Sequence, residues 1–184
     1  MSSLQNTNYA FNEMMVHVPL CTHKEPENIL VIGSVDEELK QEVAKHKAKA
    51  TFGDISVLNA YNEKNVDVII LTDVKMDDLL LANIERILKD NGVITFKSSS
   101  FHKGEEKLIA DLKLVGEKYW IAMPYSFGHT TSILASKKYH PTADIVLQTS
   151  DLLSDLSYYS TEVQHASFVF PAHIHKTLTG IAKR

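Results

Sequence analysis

The stretch FNEMMVHVPLCTHKEPENILVIGSVDEEL, residues 11–39, decides the fold class of this chain. Its centre is NILVIG at residues 28–33, a short apolar run that predicts a strand covered on both faces, as strands of parallel sheets are. Gly33 follows this strand at the position where an open α/β sheet binds its ligand. Before the strand, residues 11–18 predict a helix that Pro19 ends.

Outside this stretch, predicted strands alternate with predicted helices. The strands are residues 49–52, 66–71, 93–96, 118–123 and 130–137, the last two pairing antiparallel across Gly128. The helices are residues 36–47, 55–61, 77–89 and 103–115, with a residue of positive φ expected in Asp90-Asn91-Gly92 at the end of the third. Residues 151–156 and 158–166 predict two more helices, and residues 167–170 a final strand.

This alternation indicates an α/β fold, a doubly wound Rossmann-like sheet that is mostly parallel and closes with an antiparallel C-terminal hairpin. The length of 184 residues is sufficient for one well-buried core. We therefore expect a single domain over residues 1–184, with residues 1–10 flexible.

Composition excludes several classes of function. The net charge of −4 gives no electrostatic reason to expect nucleic acid as a partner. No apolar stretch approaches the roughly 20 residues that span a bilayer, so no membrane association is expected. Cys21 is the only cysteine, which rules out an internal disulfide and favours a reducing, cytoplasmic location.

Three motifs occur in an order that resembles the spermidine synthase family. They are EMMVHVPL at residues 13–20 ahead of NILVIG, ILKDNGVITFKSSSF at residues 87–101, and SYYSTEVQHASFVFPAHI at residues 157–174. The resemblance implies a methyltransferase-like Rossmann sheet that transfers an aminopropyl group from decarboxylated S-adenosylmethionine to putrescine, without a further cofactor. It also implies a homodimer whose small-molecule partners are a polyamine and a nucleoside-type donor.

The sequence departs from this family in three places. We expect the family's N-terminal β domain to be absent, because the given sequence begins just before the first predicted helix. The interval between Gly33 and Val66 is too short for the expected elements, which predicts that one strand-helix unit is deleted. Ser34-Val35-Asp36-Glu37 replaces the glycine-rich loop that lets the family's backbone approach its donor.

The resemblance assigns donor and catalytic roles to four positions. Asp73 is the candidate catalytic carboxylate, although the family position itself is occupied by Thr72. The candidate donor-binding residues are Gly33, Asp36 and Asp54, the last resembling an aspartate that faces adenine. Asp36 and Asp54 are equally well explained as helix caps.

Candidate substrate-binding residues lie in the first and last motifs and at Tyr125, which with Pro124 resembles the family's proline-bearing loop after a strand, near the amine site. They are Glu13, His17, Tyr125, Tyr158 and Gln164. Packing of the C-terminal segment against the sheet is the alternative explanation for the last two. His17, Cys21 and His23 could suggest a metal site, but no fourth ligand occurs at a suitable spacing, so none is predicted.

Two functional hypotheses follow from the sequence. The first is a spermidine synthase-like aminopropyltransferase. The alternative is a catalytically degenerate family member that acts as a binding or interaction protein. A small-molecule methyltransferase on the same sheet is a weaker third, because fold alone does not separate it and the closing Tyr-Tyr motif resembles the aminopropyl branch.

Overall fold

A computed structural model describes residues 8–184 of the chain, which form a six-stranded sheet with helices on both faces. The strands are β1 (Asn28–Ile32), β2 (Lys49–Gly53), β3 (Val66–Leu71), β4 (Leu88–Ser98), β5 (Ile121–Phe127) and β6 (Thr130–Ser136). The helices are α1 (Asn8–Thr22), α2 (Glu37–Ala44), α3 (Asp78–Ile87), α4 (Glu105–Gly116), α5 (Leu147–Asp151), α6 (Thr161–Ser167) and α7 (Ala172–Leu178), with a 3₁₀ helix at Ile55–Ala60.

The strand order β2-β1-β3-β4-β6-β5 confirms the doubly wound architecture. Strands β2, β1, β3 and β4 are parallel, and β6 runs antiparallel between β4 and β5. The chain leaves β1 for β2 on one side and reaches β3 on the other. The reversal between β1 and β3 is the topological switch point, where sheets of this kind bind ligands at the carboxyl ends of their strands.

Alternate residues of the buried strands face two separate cores. Ile29 and Val31 of β1 pack with α1, α2 and the aromatic residues of the C-terminal segment. Leu30 and Ile32 face the opposite core, which α3, α4 and α7 cover. Burial on both sides explains why β1 and β3 are continuous apolar runs.

The interval between Gly33 and Val66 contains α2, one strand and the 3₁₀ helix. The one strand there, β2, pairs directly with β1 and forms the edge of the sheet. This agrees with the predicted loss of one strand-helix unit.

Two predicted helix ends were wrong. Pro19 lies inside α1 rather than after it. Leu20 and Cys21 beyond the proline are fully buried, so packing on the sheet continues the helix past a residue that lacks a backbone donor. Asp90-Asn91-Gly92 belongs to β4, and Gly92 does not have a positive φ.

Gly92 is nevertheless sterically constrained, because a Cβ there would collide with the Leu88 side chain. A glycine in this part of the sequence therefore reflects close packing in a strand rather than a helix cap.

The last third contains most of the other errors. Strand β5 begins at Ile121, so Lys118, Tyr119 and Trp120 precede it. The predicted helix at residues 151–156 instead ends at Asp151 as α5, and the predicted strand at residues 167–170 does not form, because Ser167 ends α6 and residues 168–170 follow it without a strand. Helix α7 was not predicted.

The first seven residues of the segment predicted to be flexible lie outside the described part of the chain, and residues 8–10 form the first turn of α1. Over residues 8–184, no helix is both long and apolar enough to cross a membrane.

Candidate active site at the carboxyl edge of the sheet

Gly33 and Asp73 meet where β1 and β3 end. Gly33 has a φ of +117°, a conformation that only glycine adopts readily, and a Cβ there would lie 2.5 Å from Thr72 Oγ1 and would also overlap Asp73. Asp73 Oδ1 accepts a hydrogen bond from the backbone N–H of Ser34 at 2.8 Å, and Oδ2 accepts one from the Ser34 hydroxyl at 2.5 Å. These bonds lower the pKa of the Asp73 carboxyl, which is therefore ionised at neutral pH.

Asp36 lies on the other side of the same opening. It is the N-cap of α2, where its Oδ1 accepts from the Leu39 backbone N–H at 2.7 Å. Asn12 of α1 also donates to Asp36, at 3.2 Å from Nδ2 to Oδ1. The helix cap that was predicted as the alternative to donor binding is therefore present at Asp36. The same carboxylate also lines a pocket.

This pocket has a volume of about 400 Å³ and lies between α1 and the ends of β1, β3 and β4. Its lining joins predicted and unpredicted residues: Phe11, Asn12, Ser34, Val35, Asp36, Leu39, Thr72, Asp73 and Lys97. Two carboxylates and one ammonium thus face a small space that Phe11, Val35 and Leu39 line with apolar surface. Such a pocket suits a compact ligand with a cationic group.

Asp54 lies next along the edge, immediately after β2. Its carboxylate caps the 3₁₀ helix by accepting from the Ser56 backbone N–H at 2.8 Å. The Gly33 N–H donates to the carbonyl of Gly53 at 3.0 Å, which holds the ends of β1 and β2 together. A Rossmann sheet places a ribose-binding carboxylate after the second strand, about 20 residues beyond the glycine, and Asp54 has that position.

Sequence reasoning missed Asn12, Ser34 and Lys97. The alternation of side chains along β4 could have identified Lys97. Val93 and Thr95 face α1, and Lys97 is the next residue on the same face of the strand. Nothing comparable marked Ser34, whose role depends on the approach of Asp73 from a different strand.

Glu13 lies away from the pocket and holds the C-terminal segment. Its buried carboxylate accepts hydrogen bonds from the backbone N–H groups of Ser157, Tyr158 and Tyr159, at 2.8, 2.8 and 2.7 Å. These three contacts engage both oxygens. Glu13 thus positions the Tyr-Tyr motif on α1.

His17 belongs to a buried polar chain between α1 and α2. Its Nδ1 lies 2.9 Å from His46 Nε2, and its Nε2 lies 2.9 Å from Glu42 Oε2. Burial lowers the pKa of both imidazoles, that of His46 to about 3 with a further contribution from His17. Both rings are neutral at pH 7 and act as hydrogen-bonding partners within the fold.

The other three predicted residues also bond within the protein. Tyr125 lies inside β5, not in a loop, and its buried hydroxyl is 2.7 Å from Thr95 Oγ1. The Tyr158 hydroxyl accepts from the Gly128 N–H at 3.1 Å. Gln164 is fully buried and accepts from the Tyr159 hydroxyl at 2.6 Å while donating to Thr22 and to the Pro141 carbonyl.

A larger groove of about 850 Å³ lies at the opposite, amino edge of the sheet, next to the segment that precedes β1. Its cationic lining, which includes Lys24 and Lys45, is matched by Glu25, Glu27 and Asp144. Because ligands of open α/β sheets bind at the carboxyl ends, we assign the site to the smaller pocket. Among the residues described, no group of three or more His, Cys, Asp or Glu side chains could hold a metal ion.

Comparison with known proteins agrees with this architecture. Residues 8–60 match the model of the spermine/spermidine synthase domain. The chain is 26% identical over 200 residues to the polyamine aminopropyltransferase of Helicobacter acinonychis, covering 91% of this chain and 76% of the relative. It is 24% identical to the Bacillus subtilis protein of the same name, covering 90% of this chain and 77% of that one.

Solved structures show the same fold. Spermidine synthase from Thermotoga maritima superposes with a TM-score of 0.82 at 21% identity, covering 98% of this chain and 77% of that structure. A spermidine synthase bound to the transition-state analogue AdoDATO gives a TM-score of 0.81 at 20% identity, covering 94% and 74%. The six-stranded sheet is thus the Rossmann-like sheet of these synthases.

Proposed function

We propose that this chain is a divergent member of the spermidine synthase family and an aminopropyltransferase acting on a primary amine, which the comparisons with known proteins support. The donor is decarboxylated S-adenosylmethionine, and putrescine is the acceptor that the family resemblance indicates. The observation that carries the proposal is the contact between the ionised Asp73 carboxylate and the positive-φ Gly33, in a pocket at the switch point of the sheet. This contact supports the proposal because it puts a negative charge at the switch point, where we expect the aminopropyl donor and the attacking amine to meet.

The reaction is a displacement at the carbon attached to the sulfonium. The acceptor ammonium first releases one proton to water, and its nitrogen lone pair then forms the new C–N bond. The C–S bond breaks and its electron pair stays on sulfur, giving neutral methylthioadenosine and a secondary ammonium product. Hydrogen bonds from Ser34 weaken Asp73 as a base, so we assign it to holding the amine in line rather than to removing its proton.

The donor would extend along the strand ends. In this proposal Asp54 after β2 would bind the ribose hydroxyls, instead of facing adenine as the sequence motif suggested, and Asp36 would bind the donor's amino group. Gly33 supplies the close approach of backbone to ligand. The five other predicted residues support this site indirectly, since Glu13 and Gln164 fix the segments that pack on α1.

The test is release of methylthioadenosine from decarboxylated S-adenosylmethionine and putrescine. We expect Asp73→Asn to lower kcat/KM by about a hundredfold, the range for loss of one charge-bearing contact in a transition state. Asp78→Asn is the matched control, because Asp78 is an exposed carboxylate in the first turn of α3, outside the pocket. Equal activity of Asp73→Asn and the wild type would exclude the role given to Asp73.

The second candidate function is a degenerate family member that binds a nucleoside without turnover. It is favoured by the loop after β1, where Val35 carries a branched Cβ and Ser34 occupies both oxygens of Asp73. Calorimetric binding of methylthioadenosine without any release of it from donor and amine would support this function over the first.

A further inference from the structure

The loops that follow β1 and β3 each depart from the pattern of the spermidine synthase family, and the two departures are in contact. Ser34 replaces part of the glycine-rich loop, and Asp73 comes one residue after Thr72, which occupies the position of the family's catalytic carboxylate. The Ser34 backbone N–H donates to Asp73 Oδ1 at 2.8 Å, and the Ser34 hydroxyl donates to Oδ2 at 2.5 Å. A glycine at position 34 could form only the first of these bonds.

The backbone around this contact is held by its neighbours. Gly33 has a positive φ, and a Cβ there would lie 2.4 Å from Asp73 Oδ1, so glycine is needed for the loop to approach the carboxylate this closely. Thr72 is buried, its backbone N–H donates to the Ile32 carbonyl at 3.1 Å, and its hydroxyl lies 3.3 Å from Asp73 Oδ1. Asp73 itself is exposed and lines the pocket.

The Ser34 hydroxyl restricts the orientation of this carboxylate. An exposed aspartate without such a bond exchanges between side-chain rotamers, whereas one bond to each oxygen fixes both the side-chain torsions and the plane of the carboxylate. Each carboxylate oxygen can accept a second hydrogen bond, so Asp73 can still accept one from an amine in the pocket. The bonds from Ser34, that of the hydroxyl above all, lower the pKa of Asp73 and keep its carboxylate ionised.

We propose that Ser34 is a positioning residue, whose hydroxyl aims the Asp73 carboxylate at the acceptor amine. This inference rests on the proposed function, in which Asp73 holds the amine in line with the C–S bond. It also makes the two departures from the family pattern one coupled change. The serine of the first loop orients a carboxylate that is displaced by one residue in the second loop, and the displacement reaction and its products are unchanged.

The test is a double-mutant cycle of Ser34→Ala and Asp73→Asn, with Ser34→Thr as the variant that keeps a hydroxyl. Activity is measured as methylthioadenosine release at saturating decarboxylated S-adenosylmethionine and varied putrescine. We expect Ser34→Ala to lower kcat/KM for putrescine about tenfold, the effect of one hydrogen bond to a charged group. Ser34→Thr should retain most of the activity, and Ser34→Ala should cause no further loss in the Asp73→Asn background.

Two further measurements separate positioning from a general effect on the loop. Ser154→Ala is the matched control and should leave activity unchanged, because it removes a serine–aspartate contact outside the pocket, from Ser154 Oγ to Asp155 Oδ2 at 3.3 Å. NMR titration of the Asp73 carboxyl without substrates is the second. Since Ser34→Ala removes a bond to the ionised form, the pKa of Asp73 should rise in this variant and not in Ser34→Thr.

The possible results distinguish this inference from the proposed function. Full activity of Ser34→Ala, or a further tenfold loss when it is added to Asp73→Asn, would overturn the inference and leave the proposed transfer standing. Higher activity of Ser34→Ala would also overturn it, because the hydroxyl would then compete with the amine for Asp73. Absence of turnover in the wild type would overturn the proposed function instead. In that case an unchanged pKa of Asp73 in Ser34→Ala would also exclude Ser34 as the residue that fixes the carboxylate.

Discussion

Acidification should destabilise the fold through the buried pair His17 and His46. The two rings lie between α1 and α2, and the groups that face His46 are the His17 ring and the side chains of Glu42 and Lys45. Burial holds the pKa of His46 at about 3, against 6.5 for an exposed histidine. Between these two values the unfolded chain binds a proton that the folded protein does not, so stability falls as the pH is lowered through this window.

The size of the effect follows from the two pKa values. At pH 7.5 His46 is almost fully neutral in both states and contributes nothing. At pH 5 it is protonated in the unfolded chain and remains neutral in the folded protein. The difference of about 1.5 pH units below the unfolded pKa corresponds to about 2 kcal/mol of lost stability.

The assay is urea unfolding of the wild type and of His46→Gln at pH 7.5 and pH 5. The glutamine does not titrate, so the loss of stability between the two pH values should be about 2 kcal/mol smaller in this variant. His129→Gln, an exposed histidine beside Gly128, is the control and should lose as much stability as the wild type. An equal loss in the wild type and in His46→Gln would refute the reasoning.

Two further substitutions test the anchoring of the pocket. Glu13→Gln should lower the free energy of unfolding by about 2 kcal/mol in urea titrations, because one of three backbone N–H groups at residues 157–159 would face an amide donor. The control Glu63→Gln, in an exposed loop, should have no measurable effect. Equal stabilities of the two variants would contradict the role given to Glu13. Gly33→Ala should lower it by about 2 kcal/mol or more and abolish methylthioadenosine binding, since a Cβ would overlap Thr72 and Asp73 in a backbone conformation unfavourable to alanine. Gly128→Ala, also at positive φ but with open space around it, should lose only about 1 kcal/mol, and a similar loss at both glycines would show that steric overlap at Gly33 is unimportant.

The parallel part of the fold could be predicted because its signals are local. β1 and β3 are apolar runs buried on both faces, and a chain that alternates such runs with helices can form few topologies. The errors occurred where packing overrides local preference. Pro19 remains helical because α1 is buried on the sheet, and residues 88–92 extend β4 although their composition is typical of a helix end.

The candidate site was predictable only in part, for a related reason. Gly33 and Asp73 each follow a recognisable strand, so the order of the strands brings them together. Glu13 and Gln164 form hydrogen bonds with residues more than a hundred positions away in the sequence or with buried carbonyl groups. The periodicity of apolar residues along the sequence carries no information about such contacts. Sequence motifs identified these residues as important, but only the structure showed that they bond to the protein itself.

The position of Glu13 also has a consequence for synthesis of the chain. Its carboxylate is buried on α1, and the amides that satisfy it are supplied 144 to 146 residues later. While the chain is emerging from the ribosome, these amides do not yet exist. If α1 packed on the sheet at that stage, the Glu13 carboxylate would be buried without a hydrogen-bond partner, which is unfavourable. We therefore expect the helix that forms one wall of the pocket to reach its final position only after residues 157–159 have been synthesised, which would complete the pocket at a late stage of folding.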